Sequence, residues 1–245
     1  MTVTAIIPAR EASTRFPGKP LAKILDRPMI QWVYERCRAI DGITSIHVAT
    51  DSANIAAAVE QFGGSALMTS IQHRSGTDRL AEAAIILNLR GSDVVLNVQG
   101  DQPALNPRHP SLLIEALMDE PELMMATLAV PFPDPSEIAD PNHVKVVMDH
   151  SGSALYFSRA PIPWPRDGGP GHYFKHVGLY AYRVDFLRQF VSWPQGKLEA
   201  VEKLEQLRAL EQGHRIKVLI AEGLSPEVDL PEDIAKVEAV LRSAP

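Results

Sequence analysis

The chain has 245 residues, of which 45% are hydrophobic and 22% charged, and its formal net charge is −6. This composition is typical of a globular protein, and it excludes disordered, collagen-like and coiled-coil chains. The acidic balance argues against a nucleic-acid or anionic-membrane partner, which needs a basic face, but it permits a small anionic substrate bound by a local cluster of Arg and Lys.

The first half of the chain alternates strand and helix patterns. Strands are predicted over 3–7, 43–50, 65–68 and 93–98, and helices over 28–40, 53–62 and 78–89. This β-α-β-α order predicts a mainly parallel sheet that is covered by helices on both faces.

The pattern then changes. Strands are predicted over 124–130, 144–148, 154–157 and 173–182, helices over 184–190 and 198–212, a strand over 216–221 and a last helix over 231–242. The long loop 158–171 contains Trp164, and loops of this length are usually functional or part of an interface. We therefore expect one α/β domain over 1–245, with a mixed, mainly parallel sheet and a small antiparallel excursion at about 130–190 that forms a sugar-binding and dimerisation region.

The cellular location is predicted from what the sequence lacks. No stretch reaches the roughly 18 apolar residues that a membrane span needs, and the N-terminal segment has neither a basic region nor a cleavage site of a signal peptide. The single cysteine, Cys37, has no partner for an internal disulfide and is predicted to pack within a helix. We expect a cytoplasmic protein.

A basic segment directly follows the first predicted strand. Residues 8–20 include Arg10, Ser13 and Lys19, and Gly18 allows close approach of the backbone. Ligands of parallel sheets gather at the carboxyl ends of strands, where cations and backbone N–H groups can share the charge of a triphosphate. The segment matches neither the P-loop nor the Rossmann glycine pattern. A solvated basic loop is the alternative, but its position favours phosphate binding.

Two acidic residues lie at the ends of predicted elements. Asp101 follows the apolar strand 93–98, and Asp229 precedes the last helix. Mg²⁺ prefers hard oxygen ligands and substrate phosphates, so both carboxylates are candidate ligands. The alternatives are that Asp101 caps a turn and that Asp229 starts a helix.

Small polar residues open the helix predicted at 78–89. Ser75 and Thr77 are candidates for contacts with a nucleotide, although Ser75 is equally a plain N-cap. The chain contains no HExxH, CxxC or GxSxG motif, so covalent nucleophilic catalysis has no support in the sequence.

Several segments occur together in a recognisable order. They are 8–20, Ser75-Gly76-Thr77, Asn97-Val98-Gln99-Gly100-Asp101, Ala154-Leu155-Tyr156-Phe157-Ser158-Arg159, His176-Val177-Gly178-Leu179-Tyr180, Leu204-Glu205-Gln206-Leu207-Arg208 and Val228-Asp229. Over nearly its whole length the chain resembles the 3-deoxy-manno-octulosonate cytidylyltransferase family, whose members are also called CMP-Kdo synthetases.

The resemblance implies a dimeric fold of the nucleotide-diphospho-sugar transferase type. It implies that CTP and 3-deoxy-D-manno-octulosonate (Kdo), a 2-keto-3-deoxy sugar acid, give CMP-Kdo and pyrophosphate, for lipopolysaccharide or capsule biosynthesis. Mg²⁺ would be held by Asp101 and Asp229, which act in catalysis together with Arg10 and Lys19. The residues implied to bind CTP are Arg10, Ser13, Lys19, Ser75, Thr77, Arg79 and Gln99, and those implied to line the sugar-acid pocket are Arg159, His176, Tyr180, Glu205 and Gln206.

Three positions depart from the family's pattern. Gln102 and Leu230 replace the usual Glu and Thr, and Lys175 stands where Arg is common. These departures leave the acceptor open, and an 8-amino-3,8-dideoxy form of Kdo or another 2-keto-3-deoxy sugar acid is the first alternative.

Two alternatives belong to other classes. A sugar 1-phosphate nucleotidyltransferase would share the basic segment but would not account for His176 or the Glu205-Gln206 pair. A non-catalytic nucleotide-binding module would require the loss of Asp101 or Asp229, and both are present.

Overall fold

A mixed sheet forms the centre of the computed structural model, which describes residues 1–11, 16–132, 134–167 and 171–243. Its strands, within these residues, are β1 (Val3–Ala9), β4 (Ser45–Thr50), β5 (Ala66–Met68), β6 (Val94–Asn97), β7 (Met125–Pro131), β8 (Lys145–Met148), β9 (Ala154–Ser158), β10 (Phe174–Arg183) and β11 (Lys217–Ile220). A separate small hairpin pairs β2 (Lys23–Ile24) with β3 (Arg27–Pro28).

The strand order in the main sheet is β11-β7-β10-β6-β1-β4-β5. Strands β1, β4, β5 and β6 are parallel to one another, and β11 is parallel to β7. Strand β10 runs antiparallel between β6 and β7, and β8 pairs antiparallel with both β9 and β10. The predicted mixed, mainly parallel sheet is confirmed, and the β8–β10 pairing lies within the predicted excursion.

The helices are α1 (Met29–Arg38), α2 (Ala53–Gln61), α3 (Gly76–Ile86), α4 (Arg108–Asp119), α5 (Val184–Ser192), α6 (Lys197–Glu202), α7 (Leu207–Glu211) and α8 (Asp233–Ser243), with short 3₁₀ helices at Lys19–Leu21 and Pro135–Ala139. Buried residues of α1, α2 and α4 pack on one face of the sheet, and those of α3, α5 and α7 on the other. Both faces are therefore covered, as predicted for parallel strands that read as continuous apolar runs.

Two helix predictions need correction. Helix α4 was not predicted, because Pro107 and Pro110 lie at its start. Proline is tolerated there, since the first-turn N–H groups have no intrahelical partner. The single helix predicted over 198–212 is wrong: α6 ends at Glu202, the next residue, Lys203, is left-handed with φ 55°, and α7 begins only at Leu207.

Two further predictions concern the cysteine and membrane spans. Cys37 is fully buried in α1, as predicted, and burial raises the pKa of its thiol. None of the helices in the described part of the chain is long and apolar enough to span a membrane.

Candidate active site

The polar segments meet at one edge of the sheet. Arg10 follows β1 and Gln99 follows β6, and these neighbouring parallel strands end side by side. Gly100 fits this junction because a Cβ atom there would lie 3.1 Å from the carbonyl oxygen of Pro8. The segment after β11 reaches the same edge, where the backbone N–H of Val228 donates to the carbonyl of Asp101 at 2.9 Å.

Lys19 joins the two predicted metal ligands. Its Nζ donates to Asp101 Oδ2 at 2.7 Å and to the carbonyl of Val228 at 3.0 Å, and it lies 3.8 Å from Asp229 Oδ1. The Lys19 side chain is 15% exposed, whereas those of Asp101 and Asp229 are 28% and 45% exposed. The two carboxylates thus share one cation while remaining accessible from solvent.

The role of Asp229 in starting a helix is not supported. Helix α8 begins at Asp233, whose carboxylate accepts the backbone N–H groups of Asp229 and Leu230 at 3.1 and 3.0 Å. The carboxylate of Asp229 instead lies beside Lys19.

We name the surrounding depression the carboxylate cleft; its volume is about 840 Å³. Its lining residues include Gln99, Asp101, His143, Lys175, His176, Tyr180, Glu227 and Asp229. Glu227 is exposed to solvent on one side. The protein around its carboxyl group raises the pKa of that group, and the charge of Asp101 raises it further.

A smaller depression of about 230 Å³ adjoins this cleft, and we name it the tyrosine cavity. Its lining residues are Gly76, Thr77, Asn97, Gln99, Met125, Tyr180, Tyr182, Phe190, Glu205 and Gln206. Gln99 and Tyr180 line both depressions, so the two adjoin at these residues. Gln99 is held by donating its Nε2 to the carbonyl of Gly178 at 3.0 Å, next to a register shift in β10.

Polar groups in the tyrosine cavity are neutral or hydrogen-bonded. Tyr180 and Tyr182 stack with ring centroids 5.7 Å apart, and burial raises the pKa of both phenols. Burial also raises the pKa of Glu205, while Thr77 opposes this by donating its hydroxyl to Glu205 Oε2 at 2.5 Å.

The break between α6 and α7 explains how Glu205 and Gln206 reach the cavity. The left-handed Lys203 turns the chain, so that residues 204–206 leave the helical path. In a continuous helix, the side chains of Glu205 and Gln206 would point about 100° apart around the helix axis.

His176 lies at the boundary of the cleft and is half-buried. Its Nε2 is 3.0 Å from the Thr127 hydroxyl, which donates to the carbonyl of Leu179 at 2.8 Å. The ring packs edge-on against Phe157 with centroids 5.1 Å apart. Burial lowers the pKa of His176 to about 3, so the imidazole is neutral at physiological pH.

Two predicted nucleotide residues make contacts within the protein. Arg10 donates from Nη2 to the carbonyl of His73 at 2.9 Å, which ties the loop after β1 to the loop before α3. Ser75 is the N-cap of α3 and forms a capping box with Asp78. The N-cap interpretation of Ser75 is confirmed, and its contact with a nucleotide stays a prediction.

Arg79 and Arg159 have other partners. Arg79 is fully buried and donates to Asp51 Oδ2 at 2.7 Å. The guanidinium of Arg159 donates to the carbonyls of Glu202 and Pro141 at 2.7 and 2.8 Å. Neither side chain lines the cleft or the cavity, and their predicted ligand contacts remain predictions. Ser13 lies outside the described residues.

Several polar lining residues were not predicted from the sequence, among them Asn97, Tyr182 and Glu227. Tyr182 is two residues beyond Tyr180 on β10, so strand alternation places it on the same face and could have identified it. Glu227 lies in a segment without helix or strand, where no periodicity reveals which way a side chain points.

The donor set fits a hard divalent cation. Asp101 and Asp229 converge on a single positive charge, and carboxylate oxygens are preferred Mg²⁺ ligands. Within the described ranges, no group of three or more His, Cys, Asp or Glu side chains gathers as a metal centre. A cation here would complete its coordination with oxygen atoms from a substrate or from water.

Comparison with known proteins gives a consistent result. A family model described as "Cytidylyltransferase" matches residues 4–216. A 3-deoxy-manno-octulosonate cytidylyltransferase of Desulfatibacillum aliphaticivorans is 54% identical over 99% of both chains. An 8-amino-3,8-dideoxy-manno-octulosonate cytidylyltransferase of Shewanella woodyi is 52% identical over 98% of this chain and 99% of its own.

Solved structures agree with the sequence comparison. A CMP:2-keto-3-deoxy-manno-octonic acid synthetase complexed with CTP superposes with a TM-score of 0.94, at 42% identity and 99% coverage of both chains. A 4-diphosphocytidyl-2C-methyl-D-erythritol synthase, 13% identical with 98% of this chain and 100% of its own covered, shares the fold with a TM-score of 0.68. The predicted family is confirmed: the chain belongs to the cytidylyltransferase family of nucleotidyltransferase enzymes.

Proposed function

We propose that this enzyme transfers the cytidylyl group of CTP to the anomeric hydroxyl of Kdo and releases pyrophosphate. The observation that carries the proposal is that two unlike depressions, a charged cleft and a hydrogen-bonding cavity, adjoin and share Gln99 and Tyr180 in their walls. A reaction between a triphosphate and a hydroxyl-rich sugar acid needs two such environments to share one boundary.

The carboxylate cleft is assigned to the triphosphate. Lys19 and Arg10 follow β1 and supply positive charge for the phosphates. Asp101 and Asp229 would hold Mg²⁺, which, when bound, would polarise the α-phosphate and lower the pKa of the attacking hydroxyl. The Lys19 ammonium, now shared by both carboxylates, would be freed to contact a phosphate oxygen.

The tyrosine cavity and the adjoining wall are assigned to the sugar acid. Glu205, Gln206 and Gln99 offer acceptors and donors for its hydroxyl groups, and Tyr180 supplies an aromatic wall. His176 is neutral, so it serves as a hydrogen-bonding and packing group without contributing charge. Thr77 was predicted to contact the nucleotide, but its bond to Glu205 favours a place at the boundary between the two substrates.

The reaction is then a single displacement. The anomeric oxygen of the acceptor forms a bond to the α-phosphorus, and the bond from that phosphorus to the bridging oxygen of pyrophosphate breaks. The hydroxyl proton leaves to solvent, which reaches the open cleft. The chain's own contribution is to place the two reactants and to balance the charge of the leaving group, the largest effects in phosphoryl transfer.

The 8-amino-3,8-dideoxy form of Kdo remains the second candidate acceptor. Its support is specific: the Shewanella woodyi relative named for that substrate is nearly as similar as the relative named for Kdo. The difference between the two acceptors is one terminal group, which only a direct comparison of rates can assign.

We also propose a homodimer in the cytoplasm that supplies activated sugar acid for lipopolysaccharide or capsule synthesis. The loop at 158–171 supports dimerisation, because Trp164 is 79% exposed and large exposed aromatic residues are enriched at interfaces. Light scattering at micromolar concentration checks this proposal, and a mass near 26.9 kDa would contradict it.

Initial rates of pyrophosphate release test the proposed reaction. CTP, UTP, GTP and ATP are each combined with Kdo, its 8-amino analogue or glucose 1-phosphate. We expect CTP to exceed both purine nucleotides by at least about 100-fold, because a hydrogen-bonding pyrimidine site leaves its groups unpaired against a purine. Release from GTP with glucose 1-phosphate, and none with Kdo, would move the enzyme to the sugar 1-phosphate class.

A further inference from the structure

Gln102 is a buried polar residue directly after Asp101. It has no exposed surface, and its Nε2 donates to Glu227 Oε1 at 2.7 Å. Its Oε1 has no hydrogen-bond partner among the described residues. A buried amide is costly unless it is hydrogen-bonded, so the bond to Glu227 is the interaction that compensates for burying this side chain.

Burial excludes a direct role for Gln102 in choosing the acceptor. A side chain with no exposed surface does not touch a ligand in the cavity, and Gln102 lines neither depression. Its side-chain bond reaches Glu227, which lies in the wall of the carboxylate cleft.

Glu227 belongs to the segment that carries Asp229. Residues 221–232 contain neither helix nor strand, so contacts with the rest of the chain must fix their course. Val228 is fully buried, and its N–H donates to the carbonyl of Asp101 at 2.9 Å. The side-chain bond from Gln102 to Glu227 lies next to this backbone bond, so two adjacent bonds join the segments of Asp101 and Asp229.

The two aspartates lie on either side of this joint. Their segments are far apart in the sequence and contact each other here. Mg²⁺ demands near-ideal geometry at about 2.0–2.1 Å, and loss of a group that orients a metal ligand typically lowers metal affinity or activity by about 10–100-fold.

We propose that Gln102 and Glu227 are positioning residues, whose hydrogen bond sets the relative placement of Asp101 and Asp229 for a divalent cation. This inference rests on the proposed function, in which the two aspartates hold the cation. Gln102 acts only through Glu227 and its neighbours, and the hydrogen bond matters more than the charge of Glu227.

Binding of Mn²⁺ in the presence of CTP, without acceptor, tests the proposal by electron paramagnetic resonance. Gln102→Leu fills the buried space but removes the donor, and Glu227→Ala removes the acceptor. Both should weaken Mn²⁺ binding by roughly tenfold or more. Glu227→Gln, which retains an amide oxygen as acceptor, should stay within about threefold of wild type, since side chains that keep the bond keep the orientation.

The reciprocal exchange gives the sharpest result. In Gln102→Glu/Glu227→Gln the donor and the acceptor trade places, and Mn²⁺ affinity should return to within about threefold of wild type, as expected when coupling between two residues is restored. Gln102→Glu alone places two carboxyl groups against each other and should bind Mn²⁺ weakly. Glu232→Gln removes an exposed carboxylate from the same segment and is the matched control for charge.

The outcomes separate this inference from the proposed function. Wild-type affinity in both Gln102→Leu and Glu227→Ala, with affinity lost in Asp101→Asn, would overturn the positioning role and leave the metal site intact. Unchanged affinity in Asp101→Asn would overturn the metal site and with it this inference. Should Gln102→Leu fail to fold, Glu227→Ala still decides, because Glu227 is at the exposed edge of the cleft.

Discussion

The carboxylate cleft and the tyrosine cavity hold their polar groups in opposite ways. In the cleft, Asp101 and Asp229 stay accessible and share Lys19. In the cavity, Tyr180 is buried, surrounding protein raises the pKa of both Tyr180 and Glu205, and the Thr77 hydroxyl donates to Glu205. An accessible ion pair can exchange partners at little cost, whereas desolvated groups penalise any ligand that leaves them unpaired.

This difference matches the two substrates. A triphosphate brings charge and a metal ion, so its site needs charged side chains that can exchange one ion-pair partner for another. A sugar brings hydroxyl groups in a fixed arrangement, so its site gains specificity from preset hydrogen bonds. Selectivity between acceptors should therefore originate in the cavity, and dependence on Mg²⁺ in the cleft.

Asp101→Asn is the substitution with the largest expected effect. The amide is nearly isosteric but a poor Mg²⁺ ligand, and removing a group that stabilises transition-state charge costs about 10²–10³-fold in turnover. Turnover is measured by pyrophosphate release across a range of Mg²⁺ concentrations, with the thermal midpoint as the control for folding. Wild-type turnover at limiting Mg²⁺ would remove Asp101 from the site.

Glu205→Gln should have a smaller effect, confined to the acceptor. The amide oxygen can still accept the Thr77 hydroxyl, but a charge-assisted bond to a sugar hydroxyl is lost. Bonds to charged groups contribute about 1.5–3 kcal/mol, so kcat/KM for Kdo should fall by about 10–150-fold. The apparent affinity for Mg²⁺ should be unchanged. A shift in Mg²⁺ dependence instead would contradict the separation of the two regions.

The smallest expected effect comes from replacing His176, and it is an effect on the free energy of unfolding. Its folded pKa of about 3 lies below the unfolded value near 6.5, so the unfolded state binds the proton between these values. The stability that neutral His176 contributes is fully present above pH 6.5 and is lost as pH falls towards 3.

Urea unfolding at pH 7.5 and pH 5 measures this contribution. Between these pH values, wild type should lose about 1–2 kcal/mol more of its free energy of unfolding than His176→Gln, in which the titrating group is absent. Equal losses in the two proteins would show that His176 is not held neutral. His47, whose pKa burial also lowers, is present in both and cancels.

Sequence patterns alone predicted Lys19 and Asp101, whereas Glu205 and Gln206 were predicted only through the family resemblance. Lys19 and Asp101 follow strands, and adjacent parallel strands bring such residues together by rule. The position of Glu205 depends on the break at Lys203. Lys203 adopts a left-handed conformation that usually favours glycine, so the sequence does not predict the break there. Arg79 and Arg159 show the converse limit, since a sequence gives the charge of a side chain but not the partner that it finds in the fold.

The position of Gln102 illustrates a further limit. Its departure from the family's pattern was visible in the sequence, but its partner, Glu227, lies on a distant segment without regular structure. Only the folded chain shows that the side chain beside Asp101 donates a hydrogen bond to Glu227 in the wall of the cleft.

Phosphorus-31 NMR of the complete reaction tests the central claim most directly. With CTP, Kdo and Mg²⁺, the account predicts that the three CTP resonances are replaced by one phosphodiester resonance and one pyrophosphate resonance, in equal molar amounts of product. The same products from the 8-amino analogue alone would reassign the acceptor within the same chemistry. No phosphodiester with either acceptor, and two coupled diphosphate resonances from a nucleotide and a sugar 1-phosphate, would contradict the account.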